Sequence, residues 1–298
     1  MEDRVGASDV IPLSSRVHLS HAVVESLARD AGVDLLHIKG PALMPGLRTP
    51  GRGSSDVDVI VRPGHVERLE ATLARHGWER RSDFDSGSAF HHAANWFHDN
   101  WGYVDVHATW PGPKVRPEEV YAELAAGELT QEIAHVSCRV PNRIGQILIL
   151  ILHAGRTAGG AGDLPLAWDA ISEEERTAVR AMAARLRAET AFAAGLGELD
   201  SIIGDPTADL WRYYSRGGGT RLDEWRARWR AAPTRRAAVR VAASALTVNR
   251  DHLRMELGRP PTRREVAVAQ LHRVRVLGRE LASVSGKRLA RVVRIGRS

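Results

Sequence analysis

The chain has 298 residues, a net charge of +6 and 43% apolar residues, enough for one large domain or two, each with a packed core. Its single cysteine, Cys138, excludes an internal disulfide framework or a cysteine-based zinc site and fits a reducing cytosol. No N-terminal apolar segment resembles a signal peptide, and the most apolar run, 144–152, is about half the length needed to cross a bilayer, so a soluble cytoplasmic protein without a transmembrane segment is expected.

Residues 1–13 read as a loose arm. Ser14 or Ser15 is placed to cap a helix whose apolar positions Val17, Val24, Leu27 and Ala31 keep helical spacing, with Gly32 as its stop. A strand at 34–38 ends in Lys39-Gly40-Pro41, and Pro41 suits the first turn of a short helix. Turn residues at 49–53 deliver the chain to a β-branched run, 56–61. A helix over 65–76, stopped by Gly77, and strands at 78–81, 90–97 and 102–109 follow. From Pro117 the pattern is helical apart from an extended piece near 133–140. The apolar helix 142–156 is central, and Ser172 and Glu175 form a capping box for a helix running to about Ala194. Gly217, Gly218 and Gly219 make a plausible hinge, and Thr262 with Glu265 is a second capping box, before a basic helix.

Charge is unevenly spread. Residues 1–210 hold 20 Lys and Arg against 30 Asp and Glu, whereas residues 211–298 hold 22 against 6. Three regions are therefore expected: 1–140, 141–210, and a basic helical tail, 211–298. The tail has two readings, a grip on RNA or another polyanion, or a solvated or partner-binding helical face. Trp211, Tyr213, Tyr214, Trp225 and Trp229 are either base-stacking platforms or core.

The chemistry concentrates at Asp56-Val57-Asp58. Side chains two apart on a strand share a face, so the two carboxylates project together, about 7 Å apart at their Cα atoms, while Val57, Val59 and Val61 face the core. Such a pair suits Mg²⁺, which takes carboxylate oxygens and leaves positions for substrate phosphates. The simpler reading is the wet face of an amphipathic strand. On a later strand Asp105 and His107 share one face, and Val104 and Val106 the other.

A strand ending in a glycine turn, a short helix, an Asp-x-Asp strand and a later strand with a third Asp together resemble the polymerase-β-like nucleotidyltransferase superfamily. More narrowly, His37 to Ala42 is similar to the "lKG-x-A" opening of a family of uncharacterised nucleotidyltransferases. Arg52, four residues before the first acid, and Val104 to His107, with Trp110 displaced, fit its later motifs. Leu150 to Ala154 and Ala167 to Asp169 resemble its helical segments. The resemblance spans roughly residues 15–200.

It implies an α+β fold, a nucleotidyltransferase-type mixed sheet with flanking helices followed by an α-helical C-terminal part. It also implies transfer of a nucleoside monophosphate from an NTP to a small-molecule or peptide acceptor, releasing pyrophosphate. Asp56, Asp58 and Asp105 would hold Mg²⁺ or Mn²⁺, and Asp105 would help deprotonate the acceptor. Lys39, Gly40, Ser54 and Ser55 would contact substrate; Arg52 would bind phosphate or pair with an acid, and His107 would touch substrate, orient Asp105 or be a core residue. The superfamily's turn usually offers backbone N–H groups to the triphosphate, and Pro41 has none. The alternatives are a toxin-like enzyme modifying tRNA ends, with RNA held by the basic tail, and a catalytically inactive nucleotide-binding module. His153 and Asp169 are expected to brace helices, and His91, His92 and His98 to be structural or surface residues.

Overall fold

Alternation of acid and valine makes Asp56–Val61 the second strand of a five-stranded mixed sheet. The computed structural model describes residues 11–84, 90, 92–257, 259–276 and 278–279. His91, most of the N-terminal arm and the end of the basic tail lie outside the described residues. The strands are β1 (Leu35–Ile38), β2 (Asp56–Val61), β3 (Glu79–Ser82), β4 (Ala93–His98) and β5 (Gly102–His107), in the order β1-β2-β5-β4-β3. Only β2 and β5 run parallel; the other neighbours are antiparallel.

Two helices, α1 (Leu13–Asp30) and α2 (Val66–Arg75), cover one face. There Val57, Val59, Val61, Val104 and Val106 pack with Val24 and Ala28 of α1 and Leu69 and Leu73 of α2. Pro12 occupies the N-cap position of α1, so neither Ser14 nor Ser15 caps it; both lie inside its first turn. The fixed φ of proline gives the extended entry without a side-chain cap. Gly32, at φ +63°, follows the helix as expected.

The opposite face carries the acids and, two residues beyond Asp58 on β2, Ile60. Ile60 joins Leu36, Ile38 and Trp110 in a core shared with the helical part. The helical part begins with α3 (Pro117–Ala125), and its centre is α4 (Arg143–Arg156), capped by Asn142, whose side chain accepts from Gly145 N at 2.9 Å. Residues 147–152 of α4 are all at most 2% exposed, so this helix is apolar all round and buried. Each such side chain contributes about 1.5–3 kcal/mol of burial.

Two local expectations are corrected. The extended piece near 133–140 is a hairpin, β6 (Leu129–Ile133) and β7 (Val136–Val140). Its two-residue turn, Ala134 and His135, has both φ values positive (48° and 63°), a mirror-type turn built without the glycine or asparagine that would have announced it. The helix after Ser172 is broken into α5 (Glu173–Arg185) and α6 (Glu189–Leu196). Arg187, at φ +53°, makes the left-handed step, with Ala188 N donating to Ala183 O and Arg187 N to Ala184 O. This is a helix-stop pattern usually carried by glycine.

Beyond these follow α7 (Ala208–Ser215), α8 (Arg221–Ala231), α9 (Arg235–Leu246) and α10 (Arg250–Leu257), with a further helical run over 263–276. Trp211 is buried against Phe90 and the α4–α6 core, Tyr214 donates to Glu224, and Trp225 lies under Arg228 and Arg273. These rings are packing residues; Trp229 is the one left half exposed. Among the described residues no helix is long and apolar enough to cross a membrane.

Candidate active site

Strand register assembles the acids. Asp58 pairs with Asp105 across the parallel β2–β5 ladder, and Asp105 pairs with Asn95 of β4. Asp56 lies two residues before Asp58, hence on the same face. Three carboxylates therefore share one end of one sheet face, with Asn95 beside Asp105.

Asp58 is 3% exposed and held by two partners, Lys39 Nζ at 2.8 Å from Oδ2 and His107 Nε2 at 2.9 Å from Oδ1. Burial resists its ionisation, but the Lys39 charge and the His107 hydrogen bond outweigh it and hold the carboxyl well below the usual range. Asp105 behaves oppositely. Burial first, then the charges of Asp58 and Asp56, push it up to about 7, against the hydrogen bond donated by Asn95 Nδ2. Burial and the Asp58 charge also raise Asp56, which accepts from Ser55 Oγ at 3.3 Å. His107 is lowered to about 4, chiefly by burial. An acid cluster in which burial and then like charges raise one member toward neutrality is a donor set that fits a hard divalent cation, with Asp56, Asp58 and Asp105 supplying oxygens. Ligand atoms of Asp58, Asp105 and His107 lie within 4.8 Å of one another.

Lys39 reaches Asp58 from a backbone with φ +58°, uncommon for a non-glycine residue. Gly40, at φ +49°, is pressed against Ser54: a Cβ there would lie 2.9 Å from Ser54 Oγ. These residues and Ser55, Arg48, Arg52, Leu150, His153 and Asp163 line an open polar cleft of about 160 Å³ that ends on Asp56 and Asp58. Arg52 is committed within it, donating to Gly159 O at 2.9 Å and pairing with Asp163 at 3.4 Å.

Several residues to which the sequence reading gave no chemistry stand near the site. His153 lines the cleft, its ring lowered to about 3 by burial and then by the charges of Lys39 and Arg156. His92 stacks on His107, centroids 5.2 Å apart, and accepts from Arg156 Nη1 at 2.6 Å. Trp110 sits beneath the site, 4.9 Å from the His107 ring, 5.7 Å from Lys39 Nζ and 5.1 Å from the Arg156 guanidinium. His98 packs on Trp78 away from the acids, and the Asp169 carbonyl accepts from Arg176. Asn95 had a weak signal, a lone amide within the expected strand 90–97, whose apolar and polar residues do not alternate. Arg48, Arg156 and Asp163 had none in local spacing.

A mixed sheet with this acidic row and helices on both faces is the architecture of a nucleotidyltransferase. The chain belongs to the family described as uncharacterised nucleotidyltransferase, whose model matches residues 18–200. No curated protein matches it in sequence. Among solved structures, it is similar to the lincomycin-bound lincosamide antibiotic adenylyltransferase LnuA (13% identity, TM-score 0.32, covering 55% of this chain and 94% of that one). It is also similar to the antibiotic-resistance factor ANT(2'')-Ia (14%, 0.35, 64% and 96%) and to an antigenic nucleotidyltransferase-like protein from Paracoccidioides brasiliensis (17%, 0.38, 62% and 95%).

Proposed function

We propose that the protein moves a nucleoside monophosphate from an NTP to a small-molecule or peptide acceptor, releasing pyrophosphate, with Mg²⁺ or Mn²⁺ held by Asp56, Asp58 and Asp105. The observation that carries this reading is the register match of Asp58 with Asp105, which brings the third carboxylate from a separate strand beside the Asp-x-Asp pair. Bound divalent cations would neutralise charge on the attacking and leaving oxygens of an in-line displacement.

The protein's own groups do the rest. Lys39 fixes Asp58 in its ionised form and offers positive charge at the cleft floor. Gly40, Ser54 and Ser55 supply a small-residue wall where phosphate oxygens approach, in place of the N–H that Pro41 lacks. Arg52, braced by Asp163, adds a second positive group at the cleft mouth. Asp105 accepts the proton of the acceptor hydroxyl, from a strand position beside Asp58. His107 keeps Asp58 oriented.

The test is turnover of each α-labelled NTP with Mg²⁺ or Mn²⁺, using small-molecule, peptide and total-RNA extracts as acceptors, beside an Asp56→Asn/Asp58→Asn variant. Label transfer to the small-molecule or peptide extract, lost in the variant, is expected. Transfer to RNA alone would assign the tRNA-type reading, and neither transfer nor Mg²⁺-dependent NTP binding would leave an inactive module.

A further inference from the structure

Sheet order separates two positively charged flanks. Lys39 reaches the acids from the end of β1, and Arg48 and Arg52 line the same cleft. On the other flank, past β5, stands Arg156 from the last turn of α4. It is largely buried, its guanidinium lies 5.1 Å from the Trp110 ring centre, and among the described residues its one hydrogen bond is donated by Nη1 to His92 Nε2 at 2.6 Å. Among the described residues Arg156 forms no ion pair; Asp58, Asp105 and Asp56 act on it through charge alone.

That single bond fixes the proton on His92. Because Nε2 accepts from Arg156, the imidazole hydrogen is on Nδ1. His92 Nδ1 and Arg156 Nε are both buried without an acceptor. Two linked side chains thus carry buried N–H donors, one of them cationic and within the field of Asp58, Asp105 and Asp56, and among the described residues no oxygen receives them. A buried guanidinium ordinarily has a carboxylate or phosphate partner, and its planar fork is shaped for one.

We propose that Arg156, with His92, binds an oxyanion carried by the acceptor, so that the acceptor class is a phosphate- or carboxylate-bearing molecule whose reacting hydroxyl is thereby set at Asp105. This rests on the nucleotidyltransferase reading and adds a recognition site opposite the triphosphate cleft. His92 is a positioning residue here: it holds one arm of the guanidinium and leaves the other arm and Nε for the ligand.

The full-length protein, saturated with Mg²⁺ and the four α,β-methylene NTP analogues, is titrated with inorganic phosphate and, separately, with acetate. The readout is the Nε–Hε NMR signal of Arg156, assigned by its disappearance in Arg156→Lys. A saturable shift with one of the two anions is expected and names the group the acceptor carries. In Arg156→Met the affinity for that anion falls by about tenfold or more while analogue affinity stays within about twofold, and Arg156→Lys lies between, keeping charge but not the fork. An Arg156 signal unmoved by either anion at tens of millimolar overturns the proposal. So does a loss of analogue affinity of about tenfold in Arg156→Met, which would place the residue on the nucleotide side. If Arg156→Met fails to fold, the wild-type titration still decides. If no analogue binds the wild type, the nucleotidyltransferase reading fails, and the same titration without nucleotide still reads the anion site.

Discussion

Lys39 secures Asp58 at 2.8 Å from a left-handed backbone that a lysine seldom adopts, and the two residues belong to antiparallel neighbours, one just past the end of β1 and the other on β2. Strain in the turn is thus spent on aiming a cation at the buried carboxylate. Lys39→Met leaves Asp58 with His107 alone. Nucleotidyl transfer is expected to fall about 10²-fold, the scale seen when one preorganised electrostatic group is removed. Lys39→Gly, which relieves the backbone but also removes the charge, should be equally impaired. Label transfer measured on both variants checks this, and near-normal turnover in either would remove Lys39 from the site.

Asp105 links stability to pH. Its folded-state pKa, about 7, is raised above the unfolded value of about 3.9, so it holds a proton in the folded protein where the unfolded chain has lost it. Stability present below pH ~3.9 is therefore lost as pH rises through about 7. In metal-free protein Asp105→Asn is expected to raise the melting temperature at pH 8 and to change it little at pH 4, while abolishing transfer. Mg²⁺ affinity should weaken below pH ~7, where the cation must displace that proton. Calorimetry of both proteins across pH, without and with Mg²⁺, checks the sign. An Asp105→Asn variant less stable than wild type at pH 8 would contradict it.

Much of this site was legible because strand periodicity is short-range. Two-residue alternation alone puts Asp56 with Asp58, and Asp105 with His107, and the valines between them on the opposite, core-facing side. Register between strands distant in sequence is another matter. Nothing local states that Asp105 lies opposite Asp58 rather than Asp56; the family resemblance brought Asp105 to the acid pair, and the ladder alone sets it opposite Asp58. The cleft's third dimension was hidden for the same reason. Arg156 and His153 come from a helix that reads as pure core, and the break at Arg187 was masked because arginine is an ordinary helix former whose left-handed φ is set by the packing of α6, not by its own preference.

Cys138 is fully buried between the hairpin and α1, and burial, followed by the charges of Glu25 and Glu132, pushes its thiol up to about 12. The thiolate is the reactive species, so at pH 8 the folded protein holds about 10³-fold less of it than the unfolded chain. The native protein is expected to resist a thiol reagent until denaturant exposes the residue. Rapid stoichiometric labelling of folded protein, followed by mass spectrometry, would show that the hairpin opens at low cost.

The helix that carries His153 and Arg156 is set by two glycines at its crossing with α6. A Cβ on Gly195 would lie 2.1 Å from Ile151 O, and one on Gly155 would lie 2.8 Å from Ala191 O. Both clashes are with backbone, which cannot swing aside as a side-chain tip can. Gly195→Ala is therefore expected to cost about 1–3 kcal/mol, the range for overpacking, despite alanine's better helix propensity. Gly64→Ala, where a Cβ meets nothing within 4 Å, serves as the control and should stay within about 0.5 kcal/mol of wild type. Since relieving the clash must push α4 from α6, the Gly195 variant should also lose transfer activity at temperatures where it remains folded. Denaturant melts and label transfer on the same samples separate the two effects: lost stability with full activity would mean that α4 yields away from the site, by shifting its far turns and leaving His153 and Arg156 in place.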